Sequence, residues 1–358
     1  MPVRLSLSLL LLPLLSVAAA AQPVSVPSQV DSVLAARHAS GDFHGVAVLG
    51  QGDDVQYAAG FGAADRERGH PNTAETRFLI GSLTKQFTAA LVLTLVRDGA
   101  VALDASVSTY LPDYAGPGAD QITLHHLLAH RSGIPSFADV RAAARGEADA
   151  GGPLDFAPGT RHAYSNAGYV LLGLLVGAVT GQSYDQALRD RVLSPAGVAG
   201  DVGYAHSDRP VDGLATGYVP GWLWGYRRAE TVDSDGPFSA GMLYATPTAL
   251  HRWTRALHTG QVVPKALVTT MTTPYADNGY GYGLFVEETD IGGRPATVYH
   301  HGGGINGFTA ALRYVQLEGG GAYTIAVLDN TQSEATVQTA EAIQGLLSTR
   351  SSGTSSTL

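Results

Sequence analysis

The stretch Phe78-Leu79-Ile80-Gly81-Ser82-Leu83-Thr84-Lys85-Gln86-Phe87 decides how the rest of the chain is read. Its first four residues form a short apolar run ending in glycine. Beyond them, Phe87, Leu91 and Leu95 recur at helical spacing, so residues 83–98 are expected to form a helix that stops at Gly99. Ser82 and Lys85 then stand three apart at the helix start, where residues three apart share a face. A serine hydroxyl is a poor nucleophile until a base takes its proton. A lysine amine can be that base once burial or a nearby cation depresses its pKa, whereas arginine stays protonated. Of the 22 basic residues in the chain only Lys85 and Lys265 are lysines, so lysine here reflects chemistry and not composition. The helix start adds partial positive charge beside a developing oxyanion. The spacing by itself is a common coincidence, and other residues must join it.

Working outward, both chain ends read as strands. Residues 45–50 and 55–60 are apolar runs separated by Gln51-Gly52-Asp53-Asp54, a hairpin pattern, and residues 29–39 before them have helical spacing. Residues 296–299, 308–316 and 322–328 are further strands; the last two are joined by Glu318-Gly319-Gly320-Gly321, and a helix over 333–347 follows. Between these ends lie helices. Residues 167–180 are apolar nearly all round but too short to span a membrane, so they are expected to be a buried core helix. Residues 183–193 follow, with Ser183 and Gln186 in capping-box spacing. The fold class is therefore α/β (α+β): an antiparallel sheet formed by both chain ends and flanked by helices, with a mostly helical subdomain inserted at about residues 83–260.

Composition narrows the function classes. The chain has 358 residues, 45% of them hydrophobic, enough for a full core. A net charge of −9 argues against a nucleic-acid partner, which needs clustered Lys and Arg. The absence of cysteine excludes a disulfide framework, thiolate metal sites and a cysteine nucleophile. Residues 1–21, MPVRLSLSLLLLPLLSVAAAA, place Arg4 before an apolar stretch broken by Pro13 and end in small residues. They are expected to be a cleaved signal peptide. The expectation is an exported protein, periplasmic or secreted, with no stable membrane span, one domain over residues 22–347 and a disordered Ser/Thr tail at 348–358.

Two further groups keep Ser82 and Lys85 company. Tyr164-Ser165-Asn166 precedes the buried helix; a phenol can relay a proton, and an amide can hold a substrate carbonyl, although Asn166 could equally cap the helix. His301-Gly302-Gly303-Gly304 closes a strand, where glycines admit a ligand close to the backbone and expose N–H groups.

Taken in order, these motifs resemble the serine β-lactamase and penicillin-binding-protein superfamily, in the branch holding class C β-lactamases, DD-carboxypeptidases and related esterases. The resemblance runs over about residues 30–347 and includes Leu127-Leu128-Ala129-His130-Arg131-Ser132-Gly133 and Tyr280-Gly281-Tyr282-Gly283. It implies an acyl-enzyme serine hydrolase acting on an amide, ester or β-lactam. Ser82 would be the nucleophile, Lys85 its base and Tyr164 a proton shuttle. Asn166, His301 and Gly303 would bind substrate, with the backbone N–H groups of Ser82 and Gly304 as the oxyanion hole. No metal and no cofactor are implied; the partner is a small-molecule or peptide substrate such as a cell-wall peptide, a β-lactam or an ester. One departure stands out. The β-lactamases carry Lys-Thr-Gly where this chain has His301-Gly302-Gly303, and histidine is mostly neutral at pH 7, which argues against efficient β-lactam turnover.

Competing readings fare less well. An α/β-hydrolase would use His301–Gly304 as an oxyanion loop, but the chain has no G-x-S-x-G elbow. Gly302-x-Gly304-x-x-Gly307 precedes a strand and not the helix a dinucleotide site requires. His126 and His130 are four apart but lack the Glu of a zinc motif, so structural roles are expected. The cluster Trp222-Leu223-Trp224-Gly225-Tyr226 suits a cleft lining or a core cover equally. A non-hydrolytic penicillin-binding sensor and a carboxylesterase of the same fold remain the alternative activities.

Overall fold

A computed structural model describes residues 25–147, 152–221 and 225–350. The signal-peptide reading, most of the tail and Trp222-Leu223-Trp224 fall outside these residues. The sheet is built from both ends of the chain. Its strands are β1 (Gly45–Gln51), β2 (Asp54–Phe61), β3 (Phe285–Asp290), β4 (Pro295–Ile305), β5 (Phe308–Leu317) and β6 (Ala322–Asp329). They lie in the order β3-β4-β5-β6-β1-β2, and every neighbouring pair is antiparallel.

The alternation of side chains along these strands explains why both faces are covered. In β1, Val46 and Val48 point into one apolar cluster and Ala47 and Leu49 into another. The second cluster is closed by Val30 and Leu34 of α1 (Val26–Ala39) and by Ala340 and Ile343 of α5 (Ala335–Leu346). The first is far larger and takes in α2 (Thr84–Arg97), α3 (Asn166–Thr180) and α4 (Pro247–His258). Each fully buried Leu or Val there contributes roughly 1.5–3 kcal/mol relative to exposure.

Helix α2 departs from the one-faced pattern of Phe87, Leu91 and Leu95. Every residue from Thr84 to Leu95 is buried, because the sheet and the helical region enclose it on all sides; Phe87 stacks on Trp253 of α4 with ring centroids 4.0 Å apart. The buried character expected of α3 holds, and it ends at Gly181, whose φ of +67° favours glycine. The region between the chain ends is not purely helical: Phe78–Leu79 pairs with Leu243–Ala245, which also pairs with Val202–Tyr204. Among the described residues no single helix is long and apolar enough to cross a membrane.

Strand β4 is longer than the run 296–299 suggests. Its partner β3 pairs only with Pro295 to His300, whereas β5 continues to Ile305. Ile305 and Phe308 close a two-residue turn, so ladder bonds to β5 fall on Ile305, Gly303 and His301. Gly302 and Gly304 therefore direct their backbone N–H groups towards the opposite edge, beyond the end of β3.

Candidate active site

Ser82 lies in a single 3₁₀ turn, Gly81–Leu83, between the short strand Phe78–Leu79 and α2. On one side the Ile80 N–H donates to the Leu243 carbonyl at 2.9 Å, and the Leu243 N–H to the Thr84 hydroxyl at 3.1 Å. On the other side the turn meets β4 backbone to backbone. A Cβ on Gly303 would lie 2.0 Å from the Ile80 carbonyl oxygen, and one on Gly81 (φ +51°) would lie 2.7 Å from the Gly304 nitrogen. Glycine is needed at both positions for the strand to approach. A Cβ on Gly304 would meet nothing within 4 Å, because that residue opens on a cleft of about 600 Å³ shared with Ser82, Asn166, Phe137, Val170 and Ile305. A larger hollow of about 850 Å³, bordered by Arg255, Glu288, Tyr299 and Tyr314, holds none of the residues singled out above; size does not locate the chemistry.

Lys85 is fully buried at the start of α2. Its Nζ lies 3.1 Å from Ser82 Oγ, 2.8 Å from Asn166 Oδ1 and 2.8 Å from the Ala240 carbonyl oxygen. None of these partners is charged, and burial pushes the amine well below its ordinary pKa. A neutral amine has two N–H donors and one lone pair. Once the amine is deprotonated, Asn166 Oδ1 and the Ala240 carbonyl take its two N–H donors and the lone pair faces the Ser82 hydroxyl.

Tyr164 is stacked beside this group, the Lys85 Nζ sitting 4.8 Å from its ring centroid. Its hydroxyl is buried without a hydrogen-bond partner among the described residues. Burial raises the phenol to about 12, with the neighbouring Ser82 hydroxyl a smaller influence in the opposite direction. The phenol therefore keeps its proton at neutral pH and can donate it. His301 is 6% exposed; burial pushes it down to about 3, so it is neutral. Its ring lies 6.2 Å from that of Tyr164, and its Nε2 is buried without a partner.

Asn166 resolves the choice left open between a helix cap and a site residue. The cap of α3 is Ser165, whose hydroxyl accepts from the Gly168 N–H at 3.2 Å. Asn166 is the first residue inside the helix; its backbone N–H donates to the Ser136 hydroxyl at 3.1 Å, and its carbonyl oxygen is committed to Lys85, leaving the amide NH₂ for the cleft. His126 and His130 have no shared ligand: His126 accepts from the Thr123 N–H in a capping box, and His130 is buried under Tyr164. Among the described residues no cluster of His, Asp or Glu could hold a metal ion.

Ser82, Lys85, Tyr164 and Asn166 thus converge beside the glycines of β4: a hydroxyl next to a lysine whose pKa burial lowers, a protonated phenol, an amide and a strand edge with outward N–H groups. That set can deprotonate a hydroxyl, polarise a carbonyl and protonate a leaving group. The Ala240 carbonyl is the functional group that the sequence reading misses; a backbone acceptor has no side-chain signature. Gly283 is another contributor, since a Cβ there would sit 2.6 Å from the Lys85 carbonyl oxygen and push α2 away. Its signal was present in Tyr280-Gly281-Tyr282-Gly283 but not its purpose.

Comparison with known proteins agrees with this geometry. Penicillin-binding protein 4* of Bacillus subtilis (strain 168) is 27% identical over 305 residues, covering 76% of this chain and 66% of that protein. The D-aminopeptidase of Gluconobacter oxydans (strain 621H) is 29% identical over 319 residues, 84% of this chain and 58% of that protein. The chain thus spans about three fifths of the length of the curated relatives it matches. Among solved structures, the D-amino acid amidase from Ochrobactrum anthropi SV3 complexed with L-phenylalanine amide superposes with a TM-score of 0.74 at 25% identity, covering 91% of this chain and 99% of that one. The Beta-lactamase family profile matches residues 30–348, and a match of that extent over a sheet and cleft of this geometry means that the chain belongs to the Beta-lactamase family.

Proposed function

We propose that the protein is an exported serine hydrolase that cleaves an amide or ester through an acyl-enzyme. The observation that carries the reading is the buried, uncharged surroundings of Lys85, which lower its pKa and place its Nζ 3.1 Å from Ser82 Oγ. Lys85 takes the Ser82 proton as Oγ bonds to the substrate carbonyl carbon. The resulting oxyanion is held by the N–H groups of Ser82 and Gly304. Tyr164 hands a proton to the departing nitrogen or oxygen as its bond to the carbonyl carbon breaks, and Lys85 reprotonates Tyr164. Water then attacks the acyl carbon, gives its proton back through the same groups, and Ser82 leaves with its own proton restored. Asn166 presents its amide NH₂ to the substrate, and β4 runs alongside it with Gly303 in close contact with the nucleophile turn. Export rests on the pattern of residues 1–21.

Charge supports an amide or ester over a β-lactam. Among the described residues lining the cleft, Arg141 is the one permanent cation, and its Nε is bonded to the Asp235 carbonyl with the Asp235 carboxylate 3.9 Å from its Nη2. Asp139 and Asp235 outnumber it, and His301 is neutral. Such a cleft suits a neutral substrate or one bearing an amino group and does not attract the carboxylate of a penicillin. A D-aminopeptidase and a D-amino acid amidase among the similar proteins are in keeping with this, as is Esterase EstB of Burkholderia gladioli, 34% identical over 187 residues.

The test is a panel of amino-acid amides of both hands, a short-chain p-nitrophenyl ester, a cephalosporin and an acyl-D-Ala-D-Ala peptide. Ser82-dependent release from an amide or ester exceeding that from the cephalosporin is expected. Turnover by Ser82→Ala equal to wild type would overturn the assignment. Permanent labelling by a fluorescent penicillin with no hydrolysis of any substrate would favour the sensor reading instead.

A further inference from the structure

The motif Leu127-Leu128-Ala129-His130 contributes a residue that the mechanism above does not use. His130 is 1% exposed and has a φ of +54°, one of two non-glycine residues with positive φ among those described. That left-handed backbone costs a side-chain-bearing residue of order 1 kcal/mol and persists only where its surroundings enforce it.

The enforcing contacts bracket Tyr164. The His130 carbonyl accepts the Ala163 N–H at 2.9 Å, and His130 Nδ1 accepts the Ser165 N–H at 3.1 Å. The two residues flanking Tyr164 are therefore bonded to the same histidine, one through its backbone and one through its ring. Because Nδ1 accepts, the proton of the neutral ring is on Nε2, which donates to Tyr280 Oη at 3.0 Å. Tyr280 is fully buried, and the Tyr169 hydroxyl beside His130 donates to the Leu128 carbonyl at 2.8 Å. The ring also lies 4.3 Å from that of Tyr164, tilted by 42°. Both nitrogens, the carbonyl and one face of His130 are thus used.

We infer that His130 is a positioning residue for Tyr164: it clamps the backbone on both sides of that tyrosine and fixes the phenol against Ser82 and Lys85. It touches neither substrate nor the reacting atoms. The inference rests on the reading of Ser82 and Tyr164 as the working pair. Its consequence is a loss confined to the proton-transfer steps when the clamp is opened, since the strand edge and cleft that bind substrate are unchanged.

The variants that separate the clamp from bulk folding are His130→Asn and His130→Gly. Both tolerate a left-handed backbone. Asparagine keeps a carbonyl oxygen at the Nδ1 position for the Ser165 N–H; glycine does not. On the ester or amide best hydrolysed by wild type, His130→Gly should lower kcat at least 30-fold with KM within threefold, and His130→Asn should recover kcat to within fivefold of wild type. A kcat for His130→Gly within threefold of wild type, or one for His130→Asn as low as that of His130→Gly, overturns the clamp. Should His130→Gly fail to fold, His130→Gln replaces it, carrying the same amide one methylene too far; equal kcat for the Asn and Gln variants then overturns the proposal. Ser82→Ala is run alongside. If it is inactive while His130→Gly is unimpaired, the clamp alone fails; if it is active, the hydrolase reading fails.

Discussion

Three consecutive glycines on one strand, replaced in turn by alanine, give a graded test of how closely β4 must approach the Ser82 turn. A Cβ on Gly303 would stand 2.0 Å from the Ile80 carbonyl oxygen and 3.2 Å from the Ser82 nitrogen, and both are backbone atoms that cannot rotate aside. Since real contacts stop near 3 Å, the strand or the turn has to retreat by about 1 Å, and a misplacement of that size costs on the order of 100-fold in rate. Overpacking between two backbones adds roughly 1–3 kcal/mol of destabilisation. Gly302 is the control: its Cβ would meet the Val337 side chain at 3.6 Å and the Ala310 carbonyl at 3.8 Å, ordinary contacts. Gly304→Ala places its methyl in the open cleft, so it should leave stability intact and act through the substrate alone. The assay is kcat/KM on the hydrolysed ester or amide together with thermal unfolding. Gly303→Ala should lose about 100-fold in kcat/KM with a lowered Tm, and Gly302→Ala should stay within about threefold. A Gly303→Ala enzyme with wild-type kcat/KM and Tm, or a Gly302→Ala enzyme as impaired as it, would show that backbone contact between β4 and the Ser82 turn does not set the site.

Two further outcomes follow from buried titratable groups. Lys85→Met removes the base without adding charge and should lower kcat by about 10²–10⁴-fold, while leaving Asn166 Oδ1 and the Ala240 carbonyl without their donor at a cost of about 1–3 kcal/mol; retention of a tenth of wild-type kcat would exclude Lys85 as the base. His301 titrates near 3 when folded against 6.5 when unfolded, so its contribution to stability is complete above pH 6.5 and is lost as the pH falls towards 3, where the unfolded chain takes up a proton that the native site refuses. Denaturant titrations between pH 6 and 4 should therefore show wild type losing up to ~1.4 kcal/mol per pH unit more than His301→Asn. Equal slopes would mean that His301 is not held neutral. The buried Asp329, raised to about 7, opposes this trend but does so in both proteins.

How much of this was legible before the structure depends on what kind of group carries each feature. Short apolar runs locate β1, β5 and β6 closely, because both faces of these strands are buried, and the Gln51–Asp54 turn then places β2. The end of β4 is harder to see: a run of three glycines has no alternation to read, although the chemistry lies there. Helix α2 shows a single stripe in its sequence yet is buried all round, since periodicity reports an apolar face and not the number of neighbours that cover the remainder. At the site, Ser82, Lys85, Tyr164 and Asn166 announce themselves by side-chain type. The Ala240 carbonyl does not, and the capping role open to Asn166 in the sequence belongs to Ser165. His130 was visible within its motif, but only its left-handed backbone and two bracketing bonds reveal what it touches.

The joining of the two chain ends in one sheet has a kinetic consequence. The His44 N–H is bonded to Asp329, 285 positions later, and β1 pairs along its whole length with β6. Contacts of such separation form slowly, because the loop they close must be ordered before the pairing repays it. The Ser82 turn is made early in the chain, yet the strand that completes it follows some two hundred residues on. A ribosome would therefore release most of this polypeptide before the assembled site can exist, and removal of β6 and α5 would abolish the site without touching any residue in it.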